Sequence, residues 1–264
     1  MTRNCLLDAY KRGGCTTCSL TCQHRIALEG LNGKSGRIGA AKVPSEYRGL
    51  TLATSPARVE QADIYGLLAD YVATFERQFD ISGERIKSWY LWSESPGTGK
   101  TTTAAALISE YIVAHYLGSL KRGIQPIQRP AYFLDVNAWQ ELYTGFTRPG
   151  IPKEVAESNS RPYYTQMELA KVTPFVVLDD IGVRSASEGF RGDLHSVINY
   201  RTTNGMPTIY TSNLPLISTV KMADRIQANK PYDMVDVFDA RLADRMRDMC
   251  GVWHFEGNSK RGKR

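Results

Sequence analysis

The segment Glu94–Thr101, Glu-Ser-Pro-Gly-Thr-Gly-Lys-Thr, constrains this chain more than any other stretch. It fits the phosphate-binding pattern GxxxxGK(S/T) at each position that acts on a phosphate. In such a loop the backbone amides surround the phosphate, the lysine reaches the β and γ oxygens, and the last hydroxyl binds Mg²⁺. The sequence therefore predicts a nucleotide triphosphatase. Its predicted nucleotide-binding residues are Ser95, Pro96, Gly97, Thr98, Gly99, Lys100, Thr101 and Thr102.

The loop departs from the pattern at Glu94, which stands where the first glycine is usual. Gly97 and Gly99 supply the close backbone approach, whereas the first position mainly sets the turn out of the preceding strand. The flanks agree, because the apolar run at 89–93 predicts a strand and the segment from Thr101 onward predicts a helix. The alternative is a surface turn that happens to end in Lys-Thr.

A second motif, Phe175–Gly182, is an apolar run that ends in two carboxylates. Four consecutive apolar residues predict a central parallel strand that is covered on both faces. Carboxylates at its carboxyl end lie at the sheet edge where ligands bind in such folds. We expect Asp179 and Thr101 to hold Mg²⁺, and Asp180 to orient or deprotonate the attacking water. An acidic turn without metal is the alternative.

The 264 residues are enough for one sizeable α/β domain and a small appendage. No apolar stretch approaches the roughly 20 residues needed to cross a bilayer, and the first residues lack the apolar core of a secretory signal. We therefore expect a cytoplasmic protein that does not contact membranes. The net charge of +6, part of it in the tail 260–264, permits nucleic-acid binding without requiring it.

Cysteines cluster at the N-terminus, where four of the five fall within the first 22 residues. In a cytosolic chain such clustering favours a metal over disulfides, and four thiolates form a closed tetrahedral Zn²⁺ site. An iron–sulfur cluster and reduced cysteines are the alternatives. His24 could replace the first cysteine, which nine residues separate from the next. The predicted zinc ligands are Cys5, Cys15, Cys18 and Cys22, and Cys250 is expected to be buried.

Composition divides the chain into three parts. Residues 1–40 would be a cysteine-rich zinc-binding domain with a glycine-rich, basic linker at 31–39. Residues 41–84 would be a linker and an amphipathic helix. From Ala57 the apolar residues recur at helical spacing. The expected apolar face is Ile64, Leu67, Leu68, Tyr71, Val72, Phe75 and Phe79.

Residues 85–264 would form the ATPase domain. Further strands are predicted at 131–135, 208–213 and 252–255, and a helix around 194–201 ends at Asn204-Gly205. Strands that alternate with helices predict an α/β domain of three layers with a parallel central sheet.

The motifs, taken in order, resemble those of AAA+ helicase loaders of the DnaC/DnaI type, and in particular their phage-encoded relatives. The resemblance covers residues 85–261 and runs from the phosphate loop through Leu178–Gly182, Tyr210–Asn213 and Ala240–Met246 to Asn258–Arg261. The doubled aspartate and the Thr-Ser-Asn are also typical of IstB-type transposition ATPases. Those cousins generally lack an N-terminal cysteine cluster, so the cluster favours a loader.

The resemblance implies roles for further residues. Asn213 matches the sensor I position, Arg245 the arginine finger that completes a neighbour's site, and Arg261 sensor II, with Arg241 as the alternative finger. Each also has a structural interpretation, since Asn213 could cap a helix and the arginines could form surface ion pairs. An Asp at 180, where many AAA+ ATPases use Glu, suggests slow hydrolysis.

The resemblance further implies ATP, Mg²⁺ and Zn²⁺ as cofactors and a DnaB-type hexameric helicase as partner in the cytoplasm of a bacterial host. It also implies contact with single-stranded DNA and assembly into a ring or spiral. Two other hypotheses remain at this point. One is an IstB-type regulator on duplex DNA, and the other is a nucleotide-gated adaptor with little turnover.

Overall fold

Five short strands form one sheet in the computed structural model, which describes residues 5–7, 19, 21–80, 83–182, 186–218, 232–238 and 240–257. They are β1 (Ser88–Trp92), β2 (Ala131–Asp135), β3 (Phe175–Asp179), β4 (Thr208–Ser212) and β5 (Cys250–His254). Their order across the sheet is β2-β3-β4-β1-β5, and all of them are parallel. The predicted strands and the parallel sheet are therefore confirmed.

Burial follows the place of each strand in the sheet. Every residue of β3 and of β4 is buried, as their continuous apolar runs require in the middle of a parallel sheet. β5 lies at an edge and alternates between more and less exposed residues. It packs closely on β1, where the rings of Trp89 and Trp253 stack at a centroid distance of 3.5 Å.

In the described part of the chain, three helices come before β1 in the sequence, and the others lie between successive strands. The helices are α1 (Gln23–Glu29), α2 (Gly36–Ala40), α3 (Ala62–Ala73), α4 (Lys100–Lys121), α5 (Val136–Thr147), α6 (Lys153–Val172), α7 (Glu188–Thr203), α8 (Met234–Val237) and α9 (Ala240–Met249). Side-chain caps fix three of these starts, because Asp135 accepts a hydrogen bond from Ala138 N and Ser187 accepts one from Phe190 N. Asp233 caps α8 in the same way by accepting from backbone amides in the first turn of that helix. The helix predicted around 194–201 is α7, which ends before Asn204-Gly205.

Contacts divide the chain into two units. The first consists of Met1–Ile86 and Thr102–Phe133, and the second of Lys87–Thr101 and Leu134–Arg264. The second unit therefore contains the phosphate loop together with β1, β3, β4 and β5.

The amphipathic helix expected from Ala57 to Phe79 is shorter than its pattern. α3 is flanked by 3-10 turns at Pro56–Arg58 and Thr74–Phe79. Leu68, Tyr71 and Phe75 are buried as predicted, but Leu67 is 56% exposed. Tyr65 is buried instead, and its hydroxyl has partners there, since it lies 2.6 Å from Ser55 Oγ and 2.8 Å from Thr103 Oγ1.

The glycine-rich stretch 31–39, which we expected to be a linker, contains α2 and a buried arginine. Arg37 donates hydrogen bonds to the carbonyls of Ala27, Pro126 and Ile127 at 2.8–3.0 Å. Gly36 has a φ of 62°, and a Cβ there would lie 2.6 Å from Leu28 O. The glycines thus allow a tight turn into α2 rather than an extended connection.

Within the described ranges, no helix is both long and apolar enough to cross a membrane.

Candidate nucleotide-binding site

The phosphate loop connects β1 to α4 in the predicted order of strand, loop and helix. Gly97 and Gly99 have φ values of 77° and 103°, a backbone conformation that residues with a side chain rarely adopt. Among the described residues, Lys42 and Asp180 are the only ones with a side chain and a positive φ. Glu94 therefore has an ordinary backbone conformation, and its side chain costs the loop no strain.

Lys100 begins α4 and is buried against the loop. Its Nζ donates a hydrogen bond of 3.2 Å to the carbonyl of Ser95, and Ser95 N donates to Ser93 Oγ. The lysine thus lies directly after the loop, at the positive end of a 22-residue helix. This arrangement concentrates hydrogen-bond donors and positive charge, which suits a polyphosphate. Thr102 lies in the first turn of α4 and is buried.

The hydroxyl of Thr101 and the carboxylate of Asp179 meet at the carboxyl end of β3. Thr101 Oγ1 donates to Asp179 Oδ1 at 3.0 Å and lies 3.3 Å from Oδ2. Burial, aided by the nearby Asp180 carboxylate, raises the pKa of Asp179 to about 7, although the hydrogen bonds from Thr211 and Thr101 act to lower it. A hydroxyl and a carboxylate are oxygen ligands of the kind that Mg²⁺ prefers, so the pair fits this ion.

Thr211 on β4 holds the carboxylate of Asp179 and the backbone of Asp180, a role that the motifs did not predict. Its Oγ1 donates to Asp179 Oδ1 at 2.6 Å and accepts from Asp180 N at 2.9 Å. Asp180 has a φ of 60°, so the chain turns sharply where β3 ends. Asn137 lies beside Asp180, with 3.5 Å between Nδ2 and Oδ2. Thr211 belongs to the Thr-Ser-Asn motif, but that motif singled out only Asn213.

Asn213 directly follows β4 and is half-buried. The register pairs Leu178 with Tyr210 and Trp92 with Ser212. The ends of β3, β4 and β1 therefore bring the two aspartates, Asn213 and the start of the phosphate loop to one edge of the sheet. This is the edge at which parallel sheets bind ligands.

The two candidate finger arginines, Arg241 and Arg245, lie on the exposed face of α9, whose other face is buried. The guanidinium of Arg245 donates to the side-chain oxygen of Asn199 on α7, so its partner is an amide rather than a carboxylate. The contact orients the arginine without cancelling its charge. Arg261 lies outside the described residues, and the roles of all three arginines remain predictions.

The zinc site falls largely outside the described residues, since neither Cys15 nor Cys18 is among them. Cys5 and Cys22 are half-buried, and His24 Nδ1 lies 2.9 Å from the hydroxyl of Tyr116. In the part of the chain that the structure describes, no group of three or more His, Cys, Asp or Glu side chains could hold a metal. Zinc therefore stays a prediction.

Cys250 is buried at the start of β5, as expected, and burial raises its pKa to about 12. The thiol therefore stays neutral near pH 7 and is a poor nucleophile.

Comparison with known proteins identifies solved structures with a similar fold. No protein-family model matches the sequence. No curated protein matches it either. Among solved structures, the crystal structure of DnaI is 20% identical and has a TM-score of 0.51, over 83% of this chain and 95% of that one. The crystal structure of the DnaC helicase loader is 21% identical with a TM-score of 0.50, over 81% and 100%. At such identities the likeness establishes the fold of the chain.

Proposed function

We propose that this chain is an ATPase that uses Mg²⁺. The observation that carries the proposal is the contact between Thr101 Oγ1 and Asp179, because it joins the end of the phosphate loop to the end of β3. Two motifs 78 residues apart in sequence thus form one cluster of oxygen ligands beside a buried lysine. A surface turn or an acidic turn, the alternatives at each motif, would not bring these groups together.

Each residue of the site has a proposed role. Lys100 and the amides of the loop bind the β and γ phosphates, and Thr101 and Asp179 hold Mg²⁺. The ion would neutralise charge on the phosphates. Asp180 orients or deprotonates the attacking water. Asn213, at the same sheet edge, would contact that water or the γ phosphate.

We further propose that the chain is a loader for a DnaB-type hexameric helicase and acts with single-stranded DNA. The fold likeness to DnaI and to the DnaC helicase loader supports this, as do the motifs of the ATPase region. A net charge of +6 is compatible with a DNA partner. The proposal includes the three parts expected from the sequence, which are residues 1–40, 41–84 and 85–264. It also includes a phage origin of the protein.

The ATPase proposal is tested with two variants that separate binding from hydrolysis. Lys100→Ala should lose nucleotide binding, since the loop offers no other cation to the β and γ oxygens. Asp180→Asn should bind ATP and lose hydrolysis by about 10²-fold or more. Glu168→Gln on α6, with an exposed carboxylate, is the control. If both site variants hydrolyse ATP like the parent, the site is misassigned.

The loader proposal is tested by a pull-down of purified DnaB-type helicase in the presence and absence of ATP. Retention of helicase supports a loader, whereas binding to duplex DNA without helicase supports the IstB-type alternative. Helicase binding with negligible turnover supports a nucleotide-gated adaptor.

The proposed zinc site is tested by metal analysis of the purified protein. One Zn²⁺ per chain is expected, and Cys18→Ser should lower both the zinc content and helicase binding.

A further inference from the structure

The first residue of the phosphate loop is tied to the edge strand of the sheet. Glu94 Oε2 lies 3.0 Å from His254 Nε2, across 160 residues of sequence. Glu256 lies on the other side of the imidazole, 4.0 Å from Nδ1. His254 therefore lies between two carboxylates, of which only Glu94 belongs to the loop.

The sheet fixes the position of the histidine. Trp92 pairs with His254 in the register of β1 and β5, and their rings stack at a centroid distance of 4.2 Å and an angle of 21°. A ring held in this way has little freedom to turn from Glu94. The strand pairing thus fixes the histidine in place, and the exposed Glu94 side chain is held by its bond to that fixed ring.

Glu94 adds a negative charge to a loop that has to receive a polyphosphate. A hydrogen bond from its own backbone lowers the pKa of Glu94, and the bond to His254 and the charge of Lys100 lower it further. The carboxylate is thus ionised at neutral pH. It also interacts electrostatically with Lys100, the residue proposed to bind the phosphates. A free carboxylate here would compete for Lys100 and repel the nucleotide.

We propose that His254 is a positioning residue for the nucleotide-binding loop. The histidine holds the Glu94 carboxylate on the β5 side, away from Lys100 and the incoming phosphates. The inference rests on the proposed nucleotide binding. It also explains how the loop tolerates Glu94 at the position where a glycine is usual, because His254 binds the added carboxylate.

The test measures the affinity of a fluorescent ATP analogue with Mg²⁺ at low salt. His254→Phe keeps a ring to stack on Trp92 but removes the hydrogen bond, and we expect about two- to fivefold weaker binding. Glu94→Gln alone should bind up to about threefold more tightly because a negative charge is lost. In the double variant the His254→Phe defect should disappear, and that rescue also shows that the protein is folded.

Glu256→Gln is the matched control, because it removes the other carboxylate beside the same imidazole. It should change affinity by less than about twofold, and the His254→Phe defect should shrink as salt rises. Parental affinity in His254→Phe, or a defect that persists in the double variant, overturns the inference alone. A parent that binds no nucleotide overturns the proposed function and this inference together.

Discussion

Thr211 Oγ1 donates a 2.6 Å hydrogen bond to Asp179 Oδ1 and thereby connects β4 to the carboxylate at the end of β3. The same oxygen accepts from Asp180 N, so one hydroxyl sets the positions of two adjacent acidic residues. Since both carboxylates belong to the proposed site, Thr211 controls its geometry without having to touch the nucleotide.

Thr211→Val should therefore lower ATP hydrolysis by about tenfold or more while the shape of the side chain is kept. It should also cost about 1–3 kcal/mol of stability, because a buried donor and acceptor lose their partner. Steady-state ATPase assays and urea unfolding measure the two effects. Thr165→Val is the control, since Thr165 is exposed and its hydroxyl donates to the carbonyl of Arg161, one turn earlier in α6. Equal activity of both variants would show that Thr211 does not position the carboxylates.

Arg201 is fully buried and joins the end of α6 to the starts of β3 and β4. It donates to Thr208 Oγ1 and to a set of backbone carbonyls, those of Ala170, Lys171, Thr173, Pro174 and Pro207. Arg201→Met would remove all of these buried hydrogen bonds at once, so we expect a loss of about 3–5 kcal/mol or failure to fold. Arg191→Met, on the exposed face of the same helix, should change the free energy of unfolding by less than about 0.5 kcal/mol. Chemical denaturation compares them, and similar midpoints would contradict this prediction.

His115 should make the stability of the protein depend on pH. Its Nε2 accepts from Ile127 N at 3.2 Å, and its Nδ1 lies 2.7 Å from Gln78 Oε1, so the neutral ring is the form that fits. Burial, together with the charge of Arg37, lowers the pKa of His115 to about 4. The unfolded chain binds the proton near pH 6.5, so stability is lost as pH falls from about 6.5 to 4.

The expected loss from this group is about 1–3 kcal/mol. Unfolding in urea at pH 7 and pH 5 measures it, and His115→Leu should show a smaller difference between the two pH values than the parent. An equal pH dependence in the two proteins would assign the effect to other groups.

Local sequence patterns predicted the loop and the strands because each depends on consecutive residues. The turn at Gly97 and Gly99 and the apolar run before Asp179 needed no knowledge of distant segments. Contacts made across the chain could not be predicted in this way. Thr211 meets Asp179 from 32 residues away, and Arg37 reaches carbonyls about 90 residues away. Such partners are set by the order of strands and helices in space, which no single stretch encodes.

The last prediction concerns assembly and the exposed arginine of α9. Arg245 donates a hydrogen bond to Asn199 of the same chain. That chain also contains the proposed phosphate loop, the proposed Mg²⁺ ligands and Asn213. If Arg245 instead completes the site of a neighbouring chain, hydrolysis requires two chains. An arginine finger is worth roughly 10³ to 10⁵ in turnover. Arg245→Ala should therefore lose nearly all activity but still bind ATP. Arg247→Ala is the matched control, because Arg247 is an exposed arginine of the same helix that pairs with Asp244.

Mixing Arg245→Ala with Lys100→Ala separates action within a chain from action between chains. The first variant keeps an intact loop and the second keeps an intact arginine, so mixed assemblies should contain working sites and recover part of the parental turnover. Recovery should peak near equal amounts of the two, and single-stranded DNA should increase it if DNA promotes assembly, with less increase at higher salt. A mixture that remains inactive, although light scattering shows that both variants assemble, would assign Arg245 to its own subunit, where its bond to Asn199 already holds it.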